Sequence, residues 1–260
     1  MKLFYSENTV DYSSYTFSYA IYALREGLED VSPIYGQGFL PYTGNINIEK
    51  EVFYLARSLR VALSRFEDTS ENRRVQRQME SLDVKLEVIK KSEFDVGDPD
   101  FTSFCNAYIL ERIGDENMSL ERWSYILKSS VGTHILKFTK ADKTVGYILA
   151  SVTDSMLHYW FAFFDTDYMR SHSLGKWMMW RTISWAKEAG LDYAYLGTAY
   201  KPAALYKIRD HKGLEFWDGR KWNEDVKLLK DYCKTDLDEK NSDRFKTEAE
   251  PNHFLESIDV

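Results

Sequence analysis

Alternating apolar and polar positions predict a sheet in the second half of the chain. Residues 134–139, 145–152 and 156–164 are three runs rich in β-branched and aromatic side chains, and short links join them. Connections this short join antiparallel neighbours, so we predict an antiparallel meander.

After the meander the pattern alternates between strand and helix. We predict a loop over 165–175, a helix over 176–189 that stops at Gly190, a strand over 192–196, a helix over 202–211 and a strand over 214–217. The helix over 176–189 is apolar on most sides and carries Met179, Ile183 and Ala186 on one face, so it is predicted to lie in the core.

The first half of the chain predicts a second set of elements. In order these are a helix over 15–29, a loop over 32–44, a strand over 52–66, a basic helix over 71–79 capped from 68–70, a strand over 82–89, and helices over 99–113 and 120–127. The elements divide the chain into an N-terminal region (1–130), a core (131–222) and a charged C-terminal segment (223–260). That last segment is predicted to be peripheral or partly disordered.

Composition narrows the class of protein. The chain has 260 residues, is 44% hydrophobic and lacks an apolar run long enough to span a bilayer or act as a secretory signal, so a cytoplasmic protein is expected. The two cysteines, Cys105 and Cys233, are far apart and the five histidines are scattered, so neither a disulfide framework nor a metal site is predicted.

The net charge of −7 is unevenly distributed. Residues 224–260 hold eleven acids and six bases, a net −5, whereas 170–187 holds four bases and no acid. Six bases against three acids lie in 57–77. Segregated positive charge is what a local anion site needs, although such windows are also commonly solvated faces.

One loop has the composition of an anion site. Arg170-Ser-His-Ser173-Leu-Gly175 leads into the apolar helix, where unpaired backbone N–H groups and the positive end of the helix dipole can hold phosphate. We predict an anion-binding site in this loop; the alternative is an ordinary loop in which Ser173 only caps the helix.

The order of elements resembles the GNAT (N-acetyltransferase-like) fold, an α+β architecture with a mixed sheet flanked by helices; here it would carry an N-terminal α/β extension. The loop is similar to the Arg/Gln-x-x-Gly-x-Gly/Ala loop of GNAT enzymes, with Ser173 in place of the first glycine. This resemblance implies a sheet that splits beside its fourth strand.

A second resemblance is to the C-terminal half of arginyl- and leucyl-tRNA–protein transferases. Its residues are Ser173-Leu-Gly-Lys176, Tyr193-Ala-Tyr-Leu-Gly197 and Ala204-Leu-Tyr-Lys207, with a fainter similarity at Ala56-Arg-Ser-Leu-Arg60. It implies transfer of an aminoacyl group from charged tRNA to the amino terminus of a protein or peptide. Aminoacyl-tRNA would be the co-substrate, and no other cofactor is expected.

The chain also departs from that family. Family members usually carry several cysteines in the N-terminal half, in some tied to an iron–sulfur cluster or metal, whereas here none precedes Cys105. Thr198 and Leu205 replace a tyrosine and a methionine of the family pattern. No cluster is therefore expected, and the amino acid transferred is not carried over.

The resemblance also implies roles for individual side chains. The predicted donor-binding residues are Arg170, Ser173, Leu174, Gly175, Lys176 and Lys207. Tyr206 is the candidate proton donor, with a core aromatic as the alternative, and Asp165 and Asp167 are candidates to bind or deprotonate the acceptor amine. Two other functions stay open: an acyltransferase that uses acetyl-CoA or a longer acyl-CoA, and a non-catalytic domain that binds peptide or RNA.

A track for the tRNA is predicted at Arg57, Arg60, Arg73, Arg74 and Arg77.

Overall fold

The fold is described from a computed structural model. It covers residues 1–12 and 16–236, without the side chains of 7–11, 16–19, 170 and 235. Two compact units group the described residues of 1–58, 198–205 and 216–236 (unit 1) and of 59–197 and 206–215 (unit 2). No helix in these described ranges is long and apolar enough to cross a membrane.

Unit 1 contains a four-stranded antiparallel sheet. Its strands are β1 (Lys2–Asp11), β2 (Thr16–Leu24), β3 (Phe39–Pro41) and β4 (Val52–Leu55), in the order β1-β2-β4-β3. A short helix, α1 (Val31–Gly36), precedes β3. Phe4, Tyr22 and Leu24 form a core cluster with Ile48 and Val52.

Unit 2 contains the predicted meander, β7 to β9, as part of a larger sheet. The strands of this sheet are β5 (Ser58–Ala62), β6 (Val84–Lys90), β7 (His134–Lys140), β8 (Lys143–Val152), β9 (Met156–Phe164), β10 (Tyr193–Thr198) and β11 (Leu214–Trp217). Within the sheet they follow the order β11-β5-β10-β9-β8-β7-β6. From β6 to β9 neighbours are antiparallel, and β10 is parallel to β9.

Four of the five α-helices described in unit 2 lie where the sequence predicts a helix, and the fifth lies in a predicted loop. The five are α2 (Ser70–Glu80), α3 (Pro99–Tyr108), α4 (Leu120–Lys128), α5 (Asp167–His172) and α6 (Leu174–Glu188). Thr69 and Ser119 cap α2 and α4 by accepting hydrogen bonds from Asn72 and Arg122 backbone N–H groups. As predicted, α6 is buried on most sides, with Met179, Ile183 and Ala186 in the core.

A mixed sheet flanked by helices confirms the predicted α+β class. One core cluster of unit 2 lies where α3 and α4 cover β8 and β9. Its buried residues include Phe101, Cys105, Trp123, Ile126, Tyr147, Leu149 and Phe163.

Several local predictions were wrong. The helix expected over 15–29 is instead strand β2 over Thr16–Leu24, which pairs with β1 along its whole length; Tyr15 lies outside the described residues. The loop expected over 32–44 contains α1 and β3, and the single strand over 52–66 is two strands, β4 and β5, that belong to different sheets.

The other errors concern short elements. The loop over 165–175 contains α5, and the helix over 202–211 is a 3-10 helix over Pro202–Lys207. The start of the charged C-terminal segment is not peripheral throughout: α7 (Val226–Thr235) buries Leu229 and Cys233. A two-residue strand, β12 (Trp222–Asn223), pairs with Phe216 and Trp217 at the end of β11. Residues 237–260 lie outside the described part.

Candidate active site

The sheet of unit 2 separates between its two parallel strands. Pairing of β9 with β10 covers three positions, from Met156 opposite Tyr193 to His158 opposite Tyr195. Both strands then continue, to Phe164 and Thr198 respectively, without further pairing to each other in the described structure. The split expected beside the fourth strand is therefore present, and it opens toward the carboxyl ends of β9 and β10.

The 3-10 helix over Pro202–Lys207 brings a lysine to this separation. A Cβ built on Gly197, two residues past Tyr195, the last β10 residue paired with β9, would lie 3.4 Å from Nζ of Lys207. The amine therefore lies against the β10 backbone where the strands part. Nζ is 5.8 Å from the centre of the Tyr206 ring, which keeps 56% of its surface exposed.

Burial sets the protonation states around the separation. Desolvation lowers the pKa of Lys207 from 10.5 to about 8, because the charged amine loses water. Burial, with the Lys207 charge as a second cause, lowers the pKa of His158 to about 3. Burial raises the pKa of Tyr159, and loss of water around the phenol oxygen raises that of Tyr206 even though more than half of its surface is exposed. At neutral pH the separation thus holds a neutral imidazole, neutral phenols and a lysine close to its titration range.

His158 was not among the predicted site residues. It is the last residue of β9 paired with β10, lies opposite Ser151 of β8 and is almost fully buried. The sequence did contain a signal, because a histidine interrupts the otherwise apolar run of β9. Its place beside Lys207 depends on a contact between distant segments.

The predicted anion loop forms a tight junction between two helices. Ser173 has left-handed backbone angles (φ 55°, ψ 40°) and lies between α5 and α6. Its carbonyl oxygen accepts hydrogen bonds from the N–H groups of Lys176 and Trp177, both at 3.0 Å. Leu174, the first residue of α6, is buried.

Gly175 lies close to the end of β9. A Cβ there would come within 2.6 Å of the Phe164 ring, so glycine allows the ring to pack on the helix start. The packing that the structure shows at Gly175 is apolar. The side chain of Arg170, the first residue of the predicted loop, is outside the described part.

Lys176 is engaged by carboxylates. Its Nζ lies 2.8 Å from Oε1 of Glu71 and 2.5 Å from Oδ2 of Asp210. Glu71 also accepts two hydrogen bonds from the Arg74 guanidinium, both at 2.7 Å, and the partners Arg74 and Lys176 lower the pKa of Glu71 to about 2. An anionic donor at this helix start would have to compete with, or add to, this cluster.

The two candidate carboxylates follow β9. Asp165 Oδ2 lies 2.8 Å from Lys143 Nζ, and Asp165 Oδ1 accepts a hydrogen bond from the backbone N–H of Asp167. The Asp165 carboxylate raises the pKa of Lys143. The structure thus places both aspartates together at the start of α5.

The predicted tRNA track falls into three places. Arg73, Arg74 and Arg77 are exposed on α2 in unit 2, where the Arg73 guanidinium donates to the Asp68 carbonyl at 2.8 Å. Arg57, in unit 1, forms an ion pair with Asp236 at 2.6 Å. Its guanidinium lies over the rings of Tyr200 and Tyr232.

Arg60, in unit 2, is buried in β5. Its Nε lies 2.6 Å from the Glu215 carboxylate, which also pairs with Arg65, and its guanidinium is 3.8 Å from the centre of the Tyr193 ring. Arg57 and Arg60 are therefore each held in an ion pair away from the surface, whereas the α2 arginines are exposed and, of these, Arg74 pairs with Glu71. Among the described residues, no group of three or more metal-binding side chains occurs.

Comparison with known proteins connects this geometry to a family. Residues 101–209 match the family model described as arginine-tRNA-protein transferase, C terminus. The predicted resemblance is confirmed. The transferase-like region includes both strands of the separation, the α5–α6 junction, Tyr206 and Lys207; of the predicted site residues, only the five arginines between 57 and 77 lie outside it.

Curated relatives carry a related name. An aspartate/glutamate leucyltransferase of Ruegeria pomeroyi is 32% identical over 123 residues, which cover 44% of each chain. Another, of Stenotrophomonas maltophilia strain R551-3, is 23% identical over 186 residues, or 64% of this chain and 68% of that protein. The match to the first of these spans less than half of the relative.

Solved structures overlap more loosely. The C-terminal domain of a lysylphosphatidylglycerol synthetase from Agrobacterium fabrum aligns over 69% of this chain and 54% of its own, with 16% identity and a TM-score of 0.42. A GCN5-related glucosamine N-acetyltransferase region of a fungal multi-domain protein aligns over 75% and 22%, with 11% identity and a TM-score of 0.41.

Proposed function

We propose that this chain is a cytoplasmic aminoacyltransferase that moves an aminoacyl group from aminoacyl-tRNA to the amino terminus of a protein or peptide. The observation that carries the proposal is the match of residues 101–209 to the transferase C-terminal model, because this stretch contains the whole separation between β9 and β10. The leucyltransferase relatives make leucine the first donor to test.

The reaction needs little covalent help from the protein. An amine attacks the ester carbonyl of the aminoacyl group, and a ribose oxygen leaves; holding the two reactants in contact removes much of the entropic barrier. The separation between β9 and β10 supplies the cleft, with Tyr206 and Lys207 at its edge. In this proposal Asp165 and Asp167 hold the acceptor amine, and residues 170 and 173–176 contact donor phosphate.

The α2 helix provides the proposed contact with the tRNA backbone. Glu71 joins Arg74 of α2 to Lys176 of α6, so the exposed arginines and the start of α6 form one charged surface within unit 2. If this surface binds phosphate, changing both Arg73 and Arg77 to alanine should weaken tRNA binding about tenfold or more and flatten its salt dependence. The exposed Arg220, changed to alanine, is the control. Equal affinity in the double variant and the control would remove α2 from the interface.

Donor competition tests the reaction itself. The full chain is mixed with a peptide that begins with Asp or Glu and with labelled leucyl-tRNA, arginyl-tRNA or acetyl-CoA in parallel. We expect label on the peptide from a charged tRNA, and none on the same peptide with an acetylated amino terminus. Transfer from acetyl-CoA alone would establish the acyl-CoA alternative instead. Binding without transfer from any of these donors would favour a non-catalytic domain.

A further inference from the structure

We propose that a groove between α2 and α6 of unit 2 binds a basic segment of the acceptor polypeptide. The inference rests on the proposed function and deepens it, because it says which acceptors the enzyme takes best. The groove has a volume of about 960 Å³. Its lining comes from residues 66–68, from 76–80 of α2, from 83–84 and from one face of α6, rather than from β9 or β10.

The groove has the length of a short peptide. Along α6 it extends from Trp177 to Glu188, and its lining positions recur every three or four residues, so they share one face of the helix. This stretch of helix is ~16 Å long, which matches about five residues of extended chain. The buried side chains of Phe66, Met79 and Trp180 supply an apolar floor. A single small cation would need neither this length nor this floor.

The charge of the lining selects a cationic guest. Five carboxylates and two bases line the groove, a net −3. Both bases already have partners: Arg181 pairs with Glu188 at 3.1 Å, and the Lys187 amine donates to the Phe66 carbonyl oxygen at 2.5 Å. The bases therefore do not neutralise the carboxylates at the other edge of the groove.

Two of those carboxylates are available to a guest. Glu80, the last residue of α2, and Asp83, just before β6, are exposed, and within the described ranges neither side chain makes a hydrogen bond or an ion pair. Asp68 differs, because its Oδ1 accepts a hydrogen bond from the Trp180 ring N–H at 2.7 Å, and Glu67 pairs with Lys212 at 2.7 Å. We therefore expect Glu80 and Asp83 to supply most of the attraction for lysine or arginine side chains.

The groove begins close to the proposed acceptor site. Trp177 lines it two residues after Gly175, which packs against Phe164, the last residue of β9. Asp165 and Asp167, the proposed amine-binding carboxylates, follow directly along the chain. An acceptor whose amino terminus lies at the end of β9 can therefore continue along α6 with its next residues in the groove. The same negative lining repels tRNA phosphates, which leaves the groove to the polypeptide.

Two acceptor peptides of equal length test this specificity. Both begin with Asp and a Gly-Ser linker of about six residues, and they end either in Lys-Leu-Arg-Leu-Lys or in Gln-Leu-Gln-Leu-Gln. With the charged tRNA that supports transfer, we expect the basic peptide to have a KM about tenfold lower at low salt, and kcat values within about twofold of each other. A contact far from the reacting atoms is the same in ground and transition states, so it changes KM and not kcat. Added salt should shrink the difference.

Neutralising the two carboxylates tests the groove itself. Glu80→Gln combined with Asp83→Asn keeps the size of both side chains and should raise KM for the basic peptide to that of the neutral one. Transfer to the neutral peptide should stay within about twofold of the wild type. The matched control, Glu87→Gln with Asp142→Asn, removes the same charge at exposed positions outside the groove and should keep the tenfold preference. Equal urea midpoints for the two double variants verify that both fold alike.

Binding can be measured without any transfer. A labelled basic peptide with an acetylated amino terminus is titrated with the full chain, and its fluorescence anisotropy gives Kd. We expect Kd to be about tenfold higher for the groove variant than for the control. Spermidine that displaces the labelled peptide as readily as unlabelled peptide does would overturn the proposal in favour of a site for small cations.

The two assays separate failure of this inference from failure of the proposed function. If transfer occurs but the two peptides have equal KM, or if the preference persists in the groove variant, the groove is not the acceptor's binding site. If no charged tRNA donates to any peptide, the proposed function is rejected, and the link to an acceptor falls with it even where the anisotropy still reports binding in the groove.

Discussion

Replacing Lys207 by methionine should make the folded protein more stable at neutral pH. The unfolded lysine has a pKa near 10.5, and burial lowers it to about 8 in the folded protein. Each pKa unit corresponds to about 1.4 kcal/mol, so keeping this amine charged in the fold costs up to ~3 kcal/mol. This is an upper limit, because the side chain keeps partial contact with water.

The sign follows from which state binds the proton more tightly. Between about pH 8 and 10.5 the unfolded lysine is protonated while the folded one is neutral, so wild-type stability rises with pH in that window. Methionine has no proton to lose. The advantage of Lys207→Met should therefore be full below pH 8 and should shrink toward pH 10.5.

Urea unfolding followed by tryptophan fluorescence at pH 7, 8, 9 and 10 measures this advantage. Lys85→Met, at an exposed lysine on β6, is the matched control and should show no such trend. A constant gain for Lys207→Met across the series would reflect added apolar contact alone. No gain at pH 7 would refute the reasoning, because the amine would then be as well solvated as an ordinary lysine.

Three further changes test other parts of unit 2. Burial lowers the pKa of His158 from 6.5 to about 3, so the free energy of unfolding of the wild type should fall as the pH drops below 6.5. The variant His158→Gln has no such proton to bind, so between pH 6.5 and 4 it should lose ~3 kcal/mol less than the wild type. Parallel acid-unfolding curves for the two proteins would contradict this. Gly175→Ala places a Cβ within 2.6 Å of the Phe164 ring and should destabilise the fold by about 1–3 kcal/mol in urea titrations; a neutral result would mean that the ring moves away easily. Thr69→Ala removes the hydroxyl that accepts a hydrogen bond from the Asn72 N–H and should lower the free energy of unfolding by about 1 kcal/mol in the same titration. Thr69→Ser keeps a hydroxyl and should keep most of the wild-type stability. Equal losses in both variants would show that the cap does not act through its hydroxyl.

The alternation of apolar and polar residues predicted strands most reliably where each strand pairs with the next strand along the chain. The meander β7–β9 was predicted nearly to the residue, because adjacent antiparallel strands with short turns contain their own pairing information. The first fifth of the chain was misjudged because aromatic residues with alternate polar positions suit a helix or a strand, and only pairing with β1 decides for the strand in β2.

The sequence also predicted part of the candidate site. The resemblance at 173–176 and 204–207 indicated the helix junction and the Tyr206-Lys207 pair, and both lie in the region that matches the transferase model. It gave no sign that Lys176 would be held by Glu71 and Asp210, since these partners are 105 and 34 positions away.

By itself, then, the sequence determined the strands and order of the meander, the basic helix α2, the apolar character of α6 and the identity of the residues at the junction. These properties depend on propensity, capping and short-range pairing, which nearby residues fix. Only the tertiary structure decided that β5 lies beside β10, that Arg60 is buried against Glu215, and that the amine of Lys207 lies beside His158. Such features depend on contacts between segments far apart in the chain, and the desolvation that shifts the pKa of Lys207 exists only once those segments have packed around it.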